Sequence, residues 1–283
     1  MIRDLSIFLV LLYWLPSALL FADQKYFNDF QLRLDFQKGL VKLLDGNQTV
    51  SLADLKKQLT QKHQKVELGE DTNSISLSNN LYDHICKSVL VMGRLYNCGK
   101  CSKWHTSTAS AFAIGKDGII VTNYHVLEKE QGEILGAMDC KGNIFAIEKV
   151  LAANREDDLA ILQLRNADLI PMALGKPANV GSDAWVISHP DRRMYTMTKG
   201  MVSRYYKILE NDNQKPGHRM SITADYAKGS SGAPVFNRKG QVLGVVSSTN
   251  SIYYNIVNGK KENLQMVVKN CIPVESIHKL IQK

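Results

Sequence analysis

Three short stretches carry side chains that can cooperate in covalent chemistry. Val121-Thr122-Asn123-Tyr124-His125-Val126-Leu127 puts a histidine just past the end of an apolar strand. Asp157-Asp158-Leu159-Ala160-Ile161-Leu162 sets an acid directly before a second apolar strand. A carboxylate there is costly to bury unless it is paired, and an imidazole would pair it. In Lys228-Gly229-Ser230-Ser231-Gly232-Ala233-Pro234-Val235, glycines stand on both sides of Ser231. They permit a tight turn that exposes the hydroxyl and lets backbone N–H groups converge on one point. Taken singly, each stretch has an ordinary structural explanation: a strand-end histidine, a loop acid, a Gly/Ser turn. Taken together they supply a nucleophile, a base and an orienting acid. A serine hydroxyl is a weak nucleophile, so a base must take its proton. An acid beside that base fixes its tautomer and stabilises its charged form.

The order along the chain is His125, Asp158, Ser231, with intervals of 33 and 73 residues. This is the order of the chymotrypsin-type triad; α/β-hydrolases run Ser, acid, His and subtilisins run Asp, His, Ser. The sequence resembles the trypsin/chymotrypsin-like serine proteases, nearest the HtrA-type bacterial branch. Thr122-Asn123-Tyr124-His125-Val126 resembles that branch's T-N-x-H-V motif, Asp158-Leu159-Ala160-Ile161 its D-[IL]-A-[LV] motif, and Gly229-Ser230-Ser231-Gly232-Ala233-Pro234 its G-N-S-G-G-P motif. Ser230 and Ala233 depart from the pattern, both as small residues.

The resemblance implies an all-β fold of two antiparallel six-stranded β-barrels of chymotrypsin type, with the site in the cleft between them. The first barrel would span about 81–166 and hold His125 and Asp158; the second would span about 170–266 and hold Ser231. It also implies the roles: Ser231 as nucleophile, His125 as general base and acid, Asp158 rather than Asp157 as orienting acid. The backbone N–H groups of Gly229 and Ser231 would form the oxyanion hole. Asp225 stands six residues before Ser231, the offset at which trypsin-like enzymes hold the acid of the S1 pocket. A small alignment shift would instead make it a structural acid. Val246-Ser247-Ser248-Thr249 is the edge on which an extended substrate would pair, so Asp225 and Ser247 are the candidate substrate-binding residues. No metal or cofactor is required by this mechanism. No Ile-Val-Gly-Gly sequence is present and Ser230 stands where zymogens place an Asp, so no N-terminal insertion switch is predicted. The chain length after the third motif predicts no PDZ-like domain. The competing reading is a catalytically silent protease-like fold that binds proteins.

The elements that must position these residues are short β segments punctuated by turns. Residues 110–114 and 119–122 flank Gly115-Lys116-Asp117-Gly118, a hairpin signal. Further strands are predicted at 144–151, 159–164, 184–188, 196–206, 219–223, 235–236, 241–247 and 264–269, with a closing helix at 273–281. Residues 23–80 differ. Phe27, Phe30, Leu32, Leu34, Phe36, Leu40, Val41, Leu43 and Leu44 mix with charges, mostly at helical spacing, and Ser51-Leu52-Ala53-Asp54 resembles a capping box. This predicts a small helical N-terminal appendage and linker, followed by the protease domain at 81–283.

The composition agrees with a folded globular protein: 45% hydrophobic and 22% charged residues exclude a disordered chain and a multispan membrane protein. The net charge is +8, and all of the excess lies beyond residue 80. The basic residues come singly or in pairs, a solvated surface rather than a nucleic-acid motif, so nucleic acid is not an expected partner. Protein or peptide substrates are. Residues 1–22 read as a secretory signal with cleavage after Ala22, or, uncleaved, as a membrane anchor. Either way the remainder would be secreted or periplasmic. Of the five cysteines, Cys98 and Cys101 form a Cys-x-x-Cys loop. With no second such pair to complete a zinc ribbon, a disulfide or plain thiol pair is predicted there.

Overall fold

Apolar segments from Val89 onward close into two six-stranded rings. A computed structural model describes residues 26–61, 66–69, 81–128, 132–209 and 217–281. The predicted leader at 1–22 and most of the predicted linker lie outside the described residues. The first ring is built from β1 (Val89–Asn97), β3 (Ala109–Gly115), β4 (Ile119–Thr122), β5 (Ile134–Met138), β6 (Ile144–Asn154) and β7 (Leu159–Leu164), while β2 (Trp104–Thr106) hangs on the outer part of β1. Their order is β2-β1-β3-β4-β7-β6-β5, and an antiparallel β1–β5 pairing closes the ring. The second ring uses β8 (Asp183–Ser188), β9 (Thr196–Ile208), β10 (Gly217–Ile222), β11 (Pro234–Phe236), β12 (Val242–Val257) and β13 (Lys260–Pro273). It is a closed barrel in the order β10-β13-β12-β11-β8-β9. The expected two-barrel architecture is therefore the observed one.

Two predicted strands run longer than their apolar cores. β12 and β13 continue past the barrel as a two-stranded ribbon with pairings out to Val257↔Lys260. Two strands escape the period-2 signal: β1 and β5 are buried on both faces over most of their length, so their sequences do not alternate.

Each ring has its own core. Leu90, Ala111, Ile120, Leu135 and Leu162 fill the first; Val186, Val202, Met220, Val235 and Val246 fill the second. A third cluster joins them, running from Val89, Phe112 and Val121 to Ile187, Phe236, Val245 and Ile272. The closing helix α5 (Val274–Ile281) adds Ile277 and Leu280 to that junction.

The N-terminal helices pack directly against the first barrel rather than standing off from it. In α1 (Asp29–Asp45), capped by Asn28 accepting from the Gln31 amide, Phe36 and Leu40 are buried in the junction core. In α2 (Leu52–Lys57), Leu52 and Leu55 belong to the first barrel's own core. Ser51 caps α2 through the Asp54 amide, as its motif predicts. The Leu52 amide donates to the Glu133 carbonyl at 2.8 Å and ties α2 to the start of β5.

Candidate active site

His125 lies in α4 (Tyr124–Glu128), a single turn that begins where β4 ends. The residues before it are anchors. The Thr122 hydroxyl donates to the Ser110 carbonyl at 2.8 Å. The Asn123 side-chain amide and the Tyr124 backbone N–H both donate to the Asp158 carbonyl at 3.1 Å. The strand-end histidine is thus clamped to the loop that carries its acid.

Asp158 sits on a turn shaped by Asn154, whose side-chain oxygen accepts from the Glu156 and Asp157 amides. Its backbone is left-handed, with φ of 57°, an unusual state for a residue other than glycine. Its carboxylate is buried and fully engaged. His125 Nδ1 lies 2.9 Å from Oδ2 and 3.0 Å from Oδ1, and the His125 amide donates to Oδ1 at 3.0 Å. The Ser247 hydroxyl donates to Oδ2 at 2.9 Å. Burial pushes the carboxyl pKa up. The hydrogen bonds and charge of His125, with the Ser247 bond, outweigh that, so the pKa lies below its ordinary value. A carboxylate facing Nδ1 assigns that nitrogen the proton and leaves Nε2 free to accept one.

Ser231 stands in the turn between β10 and β11. Two glycines shape this turn, both with positive φ: Gly229 at 101° and Gly232 at 89°. A Cβ on Gly229 would come within 2.4 Å of the His189 carbonyl oxygen, and one on Gly232 within 2.1 Å of the Ser110 carbonyl oxygen. Ser230, Gly232 and Ala233 donate their amides to Ala227, Val246 and Ser230 respectively. Among the described residues, the Gly229 and Ser231 amides have no backbone acceptor. The Ser231 hydroxyl donates to the Ser247 carbonyl at 3.4 Å. His125, Ser231 and Gly229 line one cleft of about 410 Å³, together with the Thr106–Ala109 segment and the cations Arg94, Arg192 and Lys228. A groove of about 460 Å³ on the other side of His125 is lined by Asp158, Ser247, Ser248 and Thr249.

The structure brings His125, Asp158, Ser231, Gly229 and Ser247 together. It does not bring Asp225 to them. That side chain is 86% exposed and pairs with Lys269 at 3.3 Å. An acid that faces solvent and already has a cationic partner is not the floor of a specificity pocket. Ser247 is in the site, but its hydroxyl holds Asp158 instead of facing the cleft.

Two residues escaped the sequence reading. Ser110 is a fully buried polar residue in apolar β3. It bridges the barrels: its amide donates to the Ser231 carbonyl at 2.8 Å and its hydroxyl to the Gly229 carbonyl at 3.0 Å. A lone serine within Ala109-Ser110-Ala111-Phe112-Ala113-Ile114 was the available signal. His189 follows β8 and is completely buried behind the Ser231 turn. Its Nδ1 accepts from the Tyr195 amide at 3.0 Å, and burial depresses its pKa to about 4.

Residues 109–245 match the family model described as a trypsin-like peptidase domain. The curated relatives that match the chain are of the DegP and Do-like type. A probable periplasmic DegP-like serine endoprotease of Hahella chejuensis is 33% identical over 143 residues, which are 50% of this chain and 29% of that protein. The chloroplastic Protease Do-like 5 of Arabidopsis thaliana is 29% identical over 183 residues, 60% of this chain and 54% of that protein. The chain therefore spans about a third to a half of the curated relatives it matches. Among solved structures, Deg5 superposes with a TM-score of 0.54 at 25% identity, covering 72% of this chain and 91% of its own. The HtrA-type protease AlgW with a decapeptide superposes with a TM-score of 0.59 at 17% identity, covering 74% of this chain and 66% of that one.

Proposed function

We propose that this chain is a serine endopeptidase that cleaves peptide bonds through an acyl-enzyme. The observation that carries the reading is the paired His125–Asp158 system sharing one cleft with Ser231 and two amides that lack backbone acceptors among the described residues. Ser231 Oγ attacks the scissile carbonyl carbon while His125 Nε2 takes the hydroxyl proton. The carbonyl electrons move to oxygen, and the resulting oxyanion is held by the Gly229 and Ser231 amides. The C–N bond breaks as His125 returns the proton to the leaving amine. Water, deprotonated by His125, then hydrolyses the ester and frees Ser231. Asp158 keeps the imidazole in the required tautomer throughout. The Ser231 hydroxyl donates to the Ser247 carbonyl at 3.4 Å and would turn from it to His125 Nε2 for the proton transfer. The 247–249 edge beside the site would pair with an extended peptide. Asp225, exposed and paired with Lys269, gives no basis for selecting basic side chains. The periplasmic DegP-like relatives favour an extracytoplasmic location for this chain as well.

The test is labelling of the purified protein by a fluorophosphonate probe. Wild type is expected to label, Ser231→Ala not at all, and Asp158→Asn to turn over peptides about 10⁴-fold more slowly. A folded wild type that does not label would reduce the chain to a protease-like binding module.

A further inference from the structure

At the outer end of the β1–β2 hairpin the chain turns through Cys98-Gly99-Lys100-Cys101 and returns along β2 with His105. Three ligand-type atoms converge there. Cys98 Sγ lies 3.5 Å from Cys101 Sγ, and Cys101 Sγ lies 3.1 Å from His105 Nε2. All three fall within 4.8 Å of one another. Zinc–ligand bonds of about 2.3 Å to sulfur and 2.0 Å to nitrogen put tetrahedral ligand atoms roughly 3.5–3.8 Å apart, close to this spacing.

The loop is shaped for the task. Gly99 takes a left-handed φ of 68°, and its amide donates to the Asn97 side chain at 2.9 Å, which turns the chain back on itself. Backbone amides at Lys100 and Cys101 face the Cys98 sulfur. Such N–H groups stabilise a thiolate, the form that binds metal. His105 is fixed by strand pairing opposite Tyr96, whose ring lies 5.6 Å from the imidazole. This histidine comes four residues after Cys101 on a paired strand, outside any Cys-x-x-Cys spacing.

We propose that Cys98, Cys101 and His105 bind one thiophilic cation per chain, of the Zn²⁺ class. Two thiolates and an imidazole are the donors that select Zn²⁺ over hard cations. Binding forms two metal–sulfur bonds and one metal–nitrogen bond and releases the two thiol protons to water. The fourth position is left to solvent among the described residues. The bound cation would pin the tip of a hairpin whose other end, Thr106 to Ala109, forms a wall of the cleft.

Co²⁺ titration of the reduced full-length chain tests this directly, with a readout independent of peptidase activity. The expected result is one equivalent per chain, a near-ultraviolet thiolate-to-cobalt band, intense visible bands of tetrahedral Co²⁺, and displacement by Zn²⁺. The double variant Cys98→Ser/Cys101→Ser should lose the charge-transfer band. His105→Ala should keep it with affinity reduced about tenfold or more. No such band, or a band that survives in the double cysteine variant, overturns the proposal. Recovery of exported protein with Cys98 and Cys101 joined as a disulfide overturns it too.

Discussion

Asp158 shows how much of a candidate catalytic constellation depends on one residue's surroundings. A buried carboxylate is unfavourable unless its lone pairs are used, and here the His125 ring, the His125 amide and the Ser247 hydroxyl use them. The left-handed backbone at this position is held by the Asn154 turn and by the Asn123 and Tyr124 donors to its carbonyl. None of these partners can be read from Asp158 and its sequence neighbours alone. His189 is the opposite case: a buried base with no acid beside it among the described residues to keep it charged. Its pKa falls from 6.5 to about 4 in the folded protein. Between those two values the unfolded chain binds the extra proton, so stability is present above pH 6.5 and is lost as the pH falls toward 4. His189→Gln is expected to flatten the slope of unfolding free energy against pH in that window, measured by urea denaturation. Equal slopes in the two proteins would mean that His189 is not the titrating group.

At the level of elements, the N-terminal helix is more closely joined to the barrel than its sequence suggests. Gly93 on β1 and Gly136 on β5 are direct cross-strand partners. A Cβ on Gly93 would lie 2.6 Å from the Phe36 ring, and one on Gly136 would lie 2.3 Å from Leu40. The two glycines make a slot in the barrel wall for α1, the close-approach use of glycine within a strand. Phe36→Ala is expected to cost about 3–5 kcal/mol, the range for emptying a buried aromatic site. Equilibrium urea unfolding would measure it, and a loss under about 1 kcal/mol would make α1 a detachable appendage. The helical spacing of Phe36 and Leu40 was legible in the sequence; their receptor, formed by glycines about 55 and 100 residues further on, was not. Likewise β3, β4 and β7 announce themselves through apolar runs beside turn residues, while β1 and β5, buried on both faces, carry no alternation to read.

For the whole molecule, the junction core between the barrels is what makes a site possible. Ile187, Phe236, Val245 and Ile272 of the second barrel pack in one cluster with Val89, Phe112 and Val121 of the first. Ser110 adds the polar link to the Ser231 turn across the same seam. Arg94, Arg192 and Lys228 line the cleft with one acid among the described residues, Asp191, which pairs with Arg193 at 2.6 Å, so basic side chains outnumber acidic ones there. Acidic peptides are therefore expected to be favoured substrates, with KM rising as salt is added and kcat little changed, because exposed charges are screened within about 8 Å at physiological ionic strength. Steady-state kinetics on acidic and neutral peptides at several ionic strengths would check this; equal salt dependence for both would refute it.

The sequence alone determined the candidate triad, because its three stretches together supply a base, an acid and a nucleophile in the chymotrypsin-type order. It also determined the all-β class through turn-punctuated apolar runs. Only the tertiary structure decided what those residues meet. Asp225 went to solvent and Lys269, Ser247 to the Asp158 carboxylate, and Ser110 to the Ser231 turn. These are contacts between residues up to about 120 positions apart, set by how two barrels close and pack, and no local pattern encodes them.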